Sequence, residues 1–575
     1  MNAKKKVDSG NGDKSEVVEY DQLLTSAGDF GRYQLGLFFA AFPFYIFGSF
    51  SYFSQMFLTE TSPDFWCKVP ELENLTVLER KSLAIPSDLT APFGYSRCHA
   101  YQANWSEVLI SRAMPNLTWN TVPCQYGYEF NKTEFPYPTI TSEFGWVCDK
   151  NSYPASAQSI FFVGSIFGGF LIGWISDRFG RLPAAVVSNI VGAIGGVASI
   201  FAHNFIEFSV CRFFVGMSYD NCMMMTYILL LEYIVPKYRT IITNMSFAVF
   251  FTIGAVALPW IALACGDWKT LSLATSVPMA LALFAPLLLP ESPRWLLSKD
   301  RVDDAVNKVL DIARINKKKV PQNLIEKFKR TTLDRKEVHG NIFDMIKRPL
   351  LRKIFICACV AYMCCILIFD SLVRTIGQLK FDFFISFSVI SLTEFPSLVI
   401  LSFIMDHTGR KPLIMVVLLL CSVFSFMIPF VGGGLPSVLC AVAARFAMNM
   451  ACNTAMQWSA EMLPASVRGS GSSIIHTCGY LATVISPFVA YLEIYYSWLP
   501  MIVVGCTAVF AALISISLPE TAQKDMPQTF DDAENLINSQ GYFDFPCCKK
   551  NAVDNVQGYL INDERKHRLL GCVPI

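Results

Sequence analysis

The side chains of this chain that can do chemistry are ionisable groups set inside long apolar stretches. Asp220 stands in "GMSYDNCMM", Asp370 and Arg374 in "IFDSLVRT", Glu394 in "EFP", and His476 with Tyr480 in "IIHTCGY". Arg212 and Arg445 lie in similar surroundings. A charge in a low-dielectric setting is costly, so each of these marks a pathway or a pair. Asp370 and Arg374 are four apart, which puts them on one helical face where they can neutralise each other. Asp220 and Glu394 would then remain as acids without an obvious partner. Such an acid attracts an ammonium group, and aromatics such as Tyr45, Phe369 and Tyr480 could add cation–π contacts of about 0.5–2 kcal/mol each. The expected chemistry is recognition of an amine cation, or of a zwitterion that also engages an arginine. Plainer readings stand beside these: Arg212 and Arg445 as packing arginines, and His476 as a hydrogen-bonded core histidine. No Gly-rich phosphate loop, zinc-ligand spacing or Ser/His/Asp arrangement stands out, so neither an enzyme, a metal nor a cofactor is expected.

The elements that hold these residues are apolar runs. The chain is 53% hydrophobic and only 16% charged, against about 25% charged in soluble domains. Twelve runs are long enough to cross a bilayer as helices: about 31–57, 155–176, 183–203, 205–233, 240–264, 269–290, 351–378, 382–405, 411–431, 434–460, 470–492 and 497–518. They are called helices 1 to 12 below. The expected fold class is an all-α membrane protein. The bilayer is the expected partner, with a small organic ion as substrate; nucleic acid is not suggested, and no residue names a coupling ion.

A second set of charges sits between the runs. "GWISDRFGR" (173–181) and "SFIMDHTGR" (402–410) repeat an acid, a glycine and an arginine: Asp177, Gly180 and Arg181 match Asp406, Gly409 and Arg410 at an offset of 229. The first of them also carries Gly173 and Arg178. Glu232 and Arg239 are matched by Glu461 and Arg468, and Glu291 by Glu520, at the same offset. A constant offset across three patterns indicates duplication, giving two pseudo-symmetric six-helix halves, 31–293 and 351–518, joined by a linker, 294–350. With Arg294, these clusters are expected to form interhelical ion pairs that hold one conformational state and break in another. A single exposed pair contributes only about 0–1 kcal/mol, and the plain alternative is that the charges merely keep loops out of lipid.

Orientation follows from Lys and Arg, which crowd residues 294–353, including Lys317, Lys318 and Lys319. By the positive-inside rule the linker and both tails, 1–30 and 519–575, are cytoplasmic. The loop 58–154 then faces outward. It holds four sequons, at Asn74, Asn104, Asn116 and Asn131, and four cysteines, Cys67, Cys98, Cys124 and Cys148. Glycosylation and two disulfides are expected, with three pairings open. Asn244-Met-Ser falls at the inner end of a helix and is expected to be bare.

The order of motifs resembles the major facilitator superfamily and, within it, the organic cation/carnitine transporter family. "GDFGRYQ" (28–34), "SEFGWVCD" (142–149), "GWISDRFGR", "LPESPRWLLS" (289–298), "EFP" (394–396), "EMLPASVRGSG" (461–471) and "LPET" (518–521) carry the likeness. The resemblance implies alternating access around a central site and transport of small organic cations, zwitterions or anions across the plasma membrane. Carnitine-like or carcinine-like amines are the expected cargo. The rivals are an organic anion or sugar carrier, and a non-transporting receptor or scaffold on the same fold. Tyr227 fits a family aromatic position lining the site. The family often places a charge seven positions before the "SP" of helix 11, where this chain has neutral Tyr480. Met223 stands where cation carriers often have tryptophan.

Overall fold

The computed structural model describes residues 20–88, 93–111, 115, 119–133, 135–333, 342–522, 524 and 526–541. Among the described residues, ten helices are long and apolar enough to cross a membrane. They are helix 1 (Arg32–Thr59), helix 2 (Tyr153–Phe179 within a longer apolar stretch), helix 3 (Arg181–Ser199), helix 5 (Pro236–Cys265), helix 6 (Trp268–Leu288), helix 7 (Pro349–Arg374), helix 8 (Phe383–Thr408), helix 9 (Arg410–Phe430), helix 10 (Leu435–Met462) and helix 11 (Arg468–Ile494). Helix 4, split into Phe205–Tyr219 and Asn221–Glu232, and helix 12 (Leu499–Ser515) complete the twelve expected. Large apolar side chains such as Phe170, Leu287 and Phe430 stay exposed on the outer surface of the bundle, which suits a lipid-facing wall.

Small residues let the helices close up. A Cβ on Gly164, Gly168 or Gly216 would lie within 2.2 Å of a backbone oxygen of the facing helix, so helices 2 and 4 meet backbone to backbone there. The two repeated glycines have a different reason. Gly180 and Gly409 take φ of 116° and 90° in the tight turns between helices 2 and 3 and between helices 8 and 9, a region that favours glycine.

One end of the bundle, the loop face, carries a small domain between helices 1 and 2. Strand β1 (Phe65–Cys67) pairs antiparallel with β4 (Tyr128–Phe130), and β2 (His99–Tyr101) with β3 (Thr121–Pro123). Trp66, Leu72, Tyr101 and Trp105 fill its core. The disulfides are Cys67–Cys124 and Cys98–Cys148, which selects one of the three open pairings. Asn74 and Asn104 are exposed. Asn131 is half-buried and donates its amide to Asp64 Oδ2 at 3.0 Å. Asn116 lies outside the described residues. Asn244, inside helix 5, donates to Ser402 Oγ of helix 8 at 3.3 Å.

The opposite end, the charged face, holds the linker as four short helices: Pro293–Ser298, Val302–Ile315, Gln322–Leu333 and Ile342–Lys347. An N-terminal helix, Tyr20–Ser26, docks beside them and buries Tyr20, Leu23 and Leu24.

Candidate functional site

At the charged face the repeat holds in three dimensions. Glu291 accepts the backbone N–H of Arg181 at 2.9 Å, and Glu520 accepts that of Arg410 at 3.0 Å. Each carboxylate also takes the next N–H, from Leu182 or Lys411. Both acids therefore satisfy orphan donors at a helix start, where a negative charge is favourable. Burial raises the Glu291 carboxyl above its ordinary value, against the lowering pull of the Ser292, Arg181 and Leu182 N–H groups. Glu232 accepts from the Ser292 hydroxyl and Glu461 from Thr521, again one offset apart.

The salt links are less symmetric. Arg410 bonds Glu461 at 3.1 Å and pairs with Asp406 at 3.0 Å. Arg181 pairs with Asp177 at 2.8 Å and donates to Ser176, but not to Glu232. Glu232 and Arg239, repeated in spacing by Glu461 and Arg468, form no ion pair with each other in either half among the described residues. Arg239 and Arg468 instead donate to the backbone oxygens of Ile234 and Leu463 in the turns after helices 4 and 10. Arg239 then pairs with Asp21 of the N-terminal helix at 2.7 Å, and Arg294 with the same carboxylate at 2.6 Å. Arg178 lies beside the Trp174 and Phe179 rings, and a Cβ on Gly173 would meet open space. Among the described residues, no ion pair on this face joins the two halves.

Inside the membrane the charges sort into pairs. Arg374 holds Asp370 with two bonds, at 2.6 and 3.0 Å. Asp370 also accepts the hydroxyls of Tyr52 from helix 1 and Ser486 from helix 11. It is 1% exposed. Asp370 and Arg374 were expected at the substrate site; in this conformation they form a closed, four-donor knot between the halves. Glu394, expected to lack a partner, is corrected too. Arg445 donates to it at 2.8 Å, to the Phe369 carbonyl at 2.5 Å, and lies 3.5 Å over the Phe369 ring. That pair needs helices 8 and 10 to pack, which no local spacing reveals. Arg212 is held by Gln55 at 2.7 Å and faces the Phe161 ring.

Asp220 remains. It stands at a one-residue interruption of helix 4, half-buried. No basic side chain pairs with it among the described residues. Tyr480 of helix 11 lies within hydrogen-bonding reach, and Tyr219, Tyr362 and Cys222 are its electrostatic neighbours. His476 packs edge-on against Tyr480 at 5.1 Å and against Tyr362 at 5.8 Å. Asp220 of one half thus faces Tyr362 and Tyr480 of the other, against which His476 packs. Tyr227, two turns along, sits beside Tyr45 instead.

Above this cluster the loop face is sealed by aromatics. Phe53 and Phe57 of helix 1 pack on Phe387 at 5.2 and 4.9 Å, and Phe57 on Phe383 at 5.4 Å. Phe135 and Tyr137 of the loop domain cover Phe384. Tyr52 stacks on Tyr219 at 4.9 Å, which links the knot to the Asp220 cluster. Tyr52, Tyr362 and Ser486 went unnoticed in the sequence because neutral polar residues are scattered through all the spans.

Two internally similar helical halves, sealed at one end and holding a lone carboxylate between them, define a multi-pass membrane carrier. The Major Facilitator Superfamily model matches residues 120–487, and the chain belongs to that family. It is 28% identical over 553 residues to the carcinine transporter of Drosophila melanogaster, covering 93% of this chain and 81% of the relative. It is 26% identical over 566 residues to the beta-alanine transporter of the same organism, covering 92% and 91%. The E. coli proton:xylose symporter XylE shares the fold, with a TM-score of 0.53 and 17% identity over 88% of this chain and 99% of that one.

Proposed function

We propose that this chain is a plasma-membrane secondary transporter of small organic cations or zwitterions, working by alternating access. One observation carries the reading: Asp220 is the mid-membrane acid without a basic partner among the described residues, and an aromatic cluster from the opposite half surrounds it. A carboxylate and tyrosine faces suit an ammonium group. The names of the carcinine and beta-alanine transporters point to an amine and to a zwitterion. Arg212 supports a place for a zwitterion's carboxylate, since its Nη2 is buried without a hydrogen-bond partner among the described residues. That group lies about 12 Å from Asp220 along helix 4, at a rise of 1.5 Å per residue, so a small zwitterion would meet the two in succession.

The basic linker argues that the charged face and both tails are cytoplasmic. The sealed loop face is then extracellular, Asn74 and Asn104 are accessible to glycosylation, and this conformation faces inward. The clusters around Arg181 and Arg410 lie within single halves here. In this reading they brace each half as it rocks, and a cross-half role belongs to the outward-facing state. An inside-negative potential draws a monovalent cation inward by about 2.3 kcal/mol per 100 mV.

The test is uptake of labelled carcinine, beta-alanine, tetraethylammonium, para-aminohippurate and glucose into cells expressing the chain. Saturable uptake of the amines, reduced by depolarisation for the cations, is expected. Uptake of para-aminohippurate or glucose alone would assign the chain to the anion or sugar carriers. No uptake despite confirmed surface expression would favour a receptor.

A further inference from the structure

The charged face holds a cavity of about 640 Å³ between the turn after the N-terminal helix, the start of helix 1 and the residues after linker helix Val302–Ile315. Arg32, Lys317 and Lys318 line it together with Asp29. Tyr238 forms one wall, and Lys237 Nζ lies 5.3 Å over that ring. Several other charges on this face are paired: Arg239 and Arg294 with Asp21, Arg181 with Asp177, Arg301 with Asp304, Arg314 with Asp311, and Lys329 with Asp303. Arg32, Lys317 and Lys318 have no ion-pair partner among the described residues. The lining thus sets three basic side chains against one carboxylate.

The walls are built rather than loose. Asn316 accepts the Tyr33 N–H at 3.1 Å and donates to Gln34 at 3.0 Å and to the Ala27 carbonyl at 3.4 Å, tying the linker to the start of helix 1. A side chain on Gly31 would meet Asn316 Oδ1 at 2.3 Å. Lys317 takes a left-handed backbone, φ 55°, in the turn that closes the cavity. The apolar span of helix 1 begins at Arg32, which would set the cavity at head-group depth.

We propose that this cavity binds a phosphorylated polyol, with phosphate on Arg32, Lys317 and Lys318 and a ring hydroxyl on Asp29. Arginine and lysine are suited to phosphate oxygens, and a carboxylate accepts from a hydroxyl while repelling a bare anion. The same chemistry comes from an inositol-phospholipid head group and from a soluble inositol phosphate. The site stands apart from the transport path, so it does not depend on the substrate assigned above.

The experiment uses the purified full chain in phosphatidylcholine nanodiscs with and without phosphatidylinositol bisphosphate, and measures lipid retention by native mass spectrometry. Inositol trisphosphate and inorganic phosphate serve as soluble competitors. Each basic residue near a membrane surface contributes roughly fivefold in affinity, so the triple variant Arg32→Gln/Lys317→Gln/Lys318→Gln should bind about 100-fold more weakly. Lys317→Arg/Lys318→Arg should retain binding, and Lys299→Gln, on the same face, should not change it. Asp29→Asn should weaken inositol trisphosphate and strengthen inorganic phosphate. If inositol trisphosphate binds as tightly as the lipid, the ligand is a soluble polyol phosphate; if the lipid alone binds, the ligand is a membrane lipid. Equal binding by the wild type and the triple variant, or none by the wild type, overturns the proposal.

Discussion

Removing the Tyr52 hydroxyl should loosen the seal between the halves. Tyr52 and Asp370 belong to opposite halves, and their bond exists while the loop face is closed. A hydrogen bond to a charged group contributes about 1.5–3 kcal/mol. If opening breaks that bond, Tyr52→Phe shifts the closed-to-open ratio about 10- to 150-fold toward open, at about 1.4 kcal/mol per tenfold. The ring, which stacks on Tyr219 at 4.9 Å, is kept. Ser486→Ala is the control. Ser486 also donates to Asp370, but both belong to the second half, so the bond survives opening and its loss should leave the ratio unchanged. Spin-label amino acids at Phe201 and Tyr496, both exposed at the loop face, would report the distance between halves by double electron–electron resonance. Tyr52→Phe should populate a longer distance and Ser486→Ala should not. Identical distributions in the two variants would refute the reasoning.

Three further outcomes are expected. Glu60 follows helix 1 at the loop face, facing Gly377 of the other half at 3.7 Å from a built Cβ, and burial, with Glu493 nearby, pushes its carboxyl up to about 7. Its raised value means the sealed state holds the proton more tightly, so sealing is strongest below the ordinary carboxylate range and weakens as pH rises through about 7; the same label pair should show this, and Glu60→Gln should flatten it. Glu520→Gln removes the charge that takes the Arg410, Lys411, Thr521 and Ala522 N–H groups, and should lower stability by about 2–4 kcal/mol, read as a drop in Tm. Cys98→Ser/Cys148→Ser opens a link across 50 residues and should destabilise the loop domain by about 2–4 kcal/mol, read by limited proteolysis.

Much of this architecture is legible because it repeats. The 229-residue offset anticipated that Glu291 and Glu520 would do the same work, and they cap the same N–H groups on helices 3 and 9. What repeats poorly was misread. Arg239 and Arg468 share a carbonyl contact, but Arg239 also pairs with Asp21, whereas Arg468 donates to the Pro527 carbonyl. Asp370–Arg374 was visible because four residues bring two side chains onto one face. Glu394–Arg445, 51 residues apart, and Asp370–Tyr52, 318 apart, arise from helix packing that a linear pattern does not carry. Asp220 was found because its charge has no apolar purpose, while its partners Tyr219, Tyr362 and Tyr480 look like ordinary span residues until the halves are brought together.

In the proposed transporter, Asp220 reads the substrate's positive charge. Uptake of labelled carcinine should be compared in cells expressing wild type, Asp220→Asn and Asp220→Glu at equal surface levels. Saturable uptake should be lost in Asp220→Asn and partly recovered in Asp220→Glu, where the charge returns at a different reach. Undiminished uptake in Asp220→Asn would contradict that role.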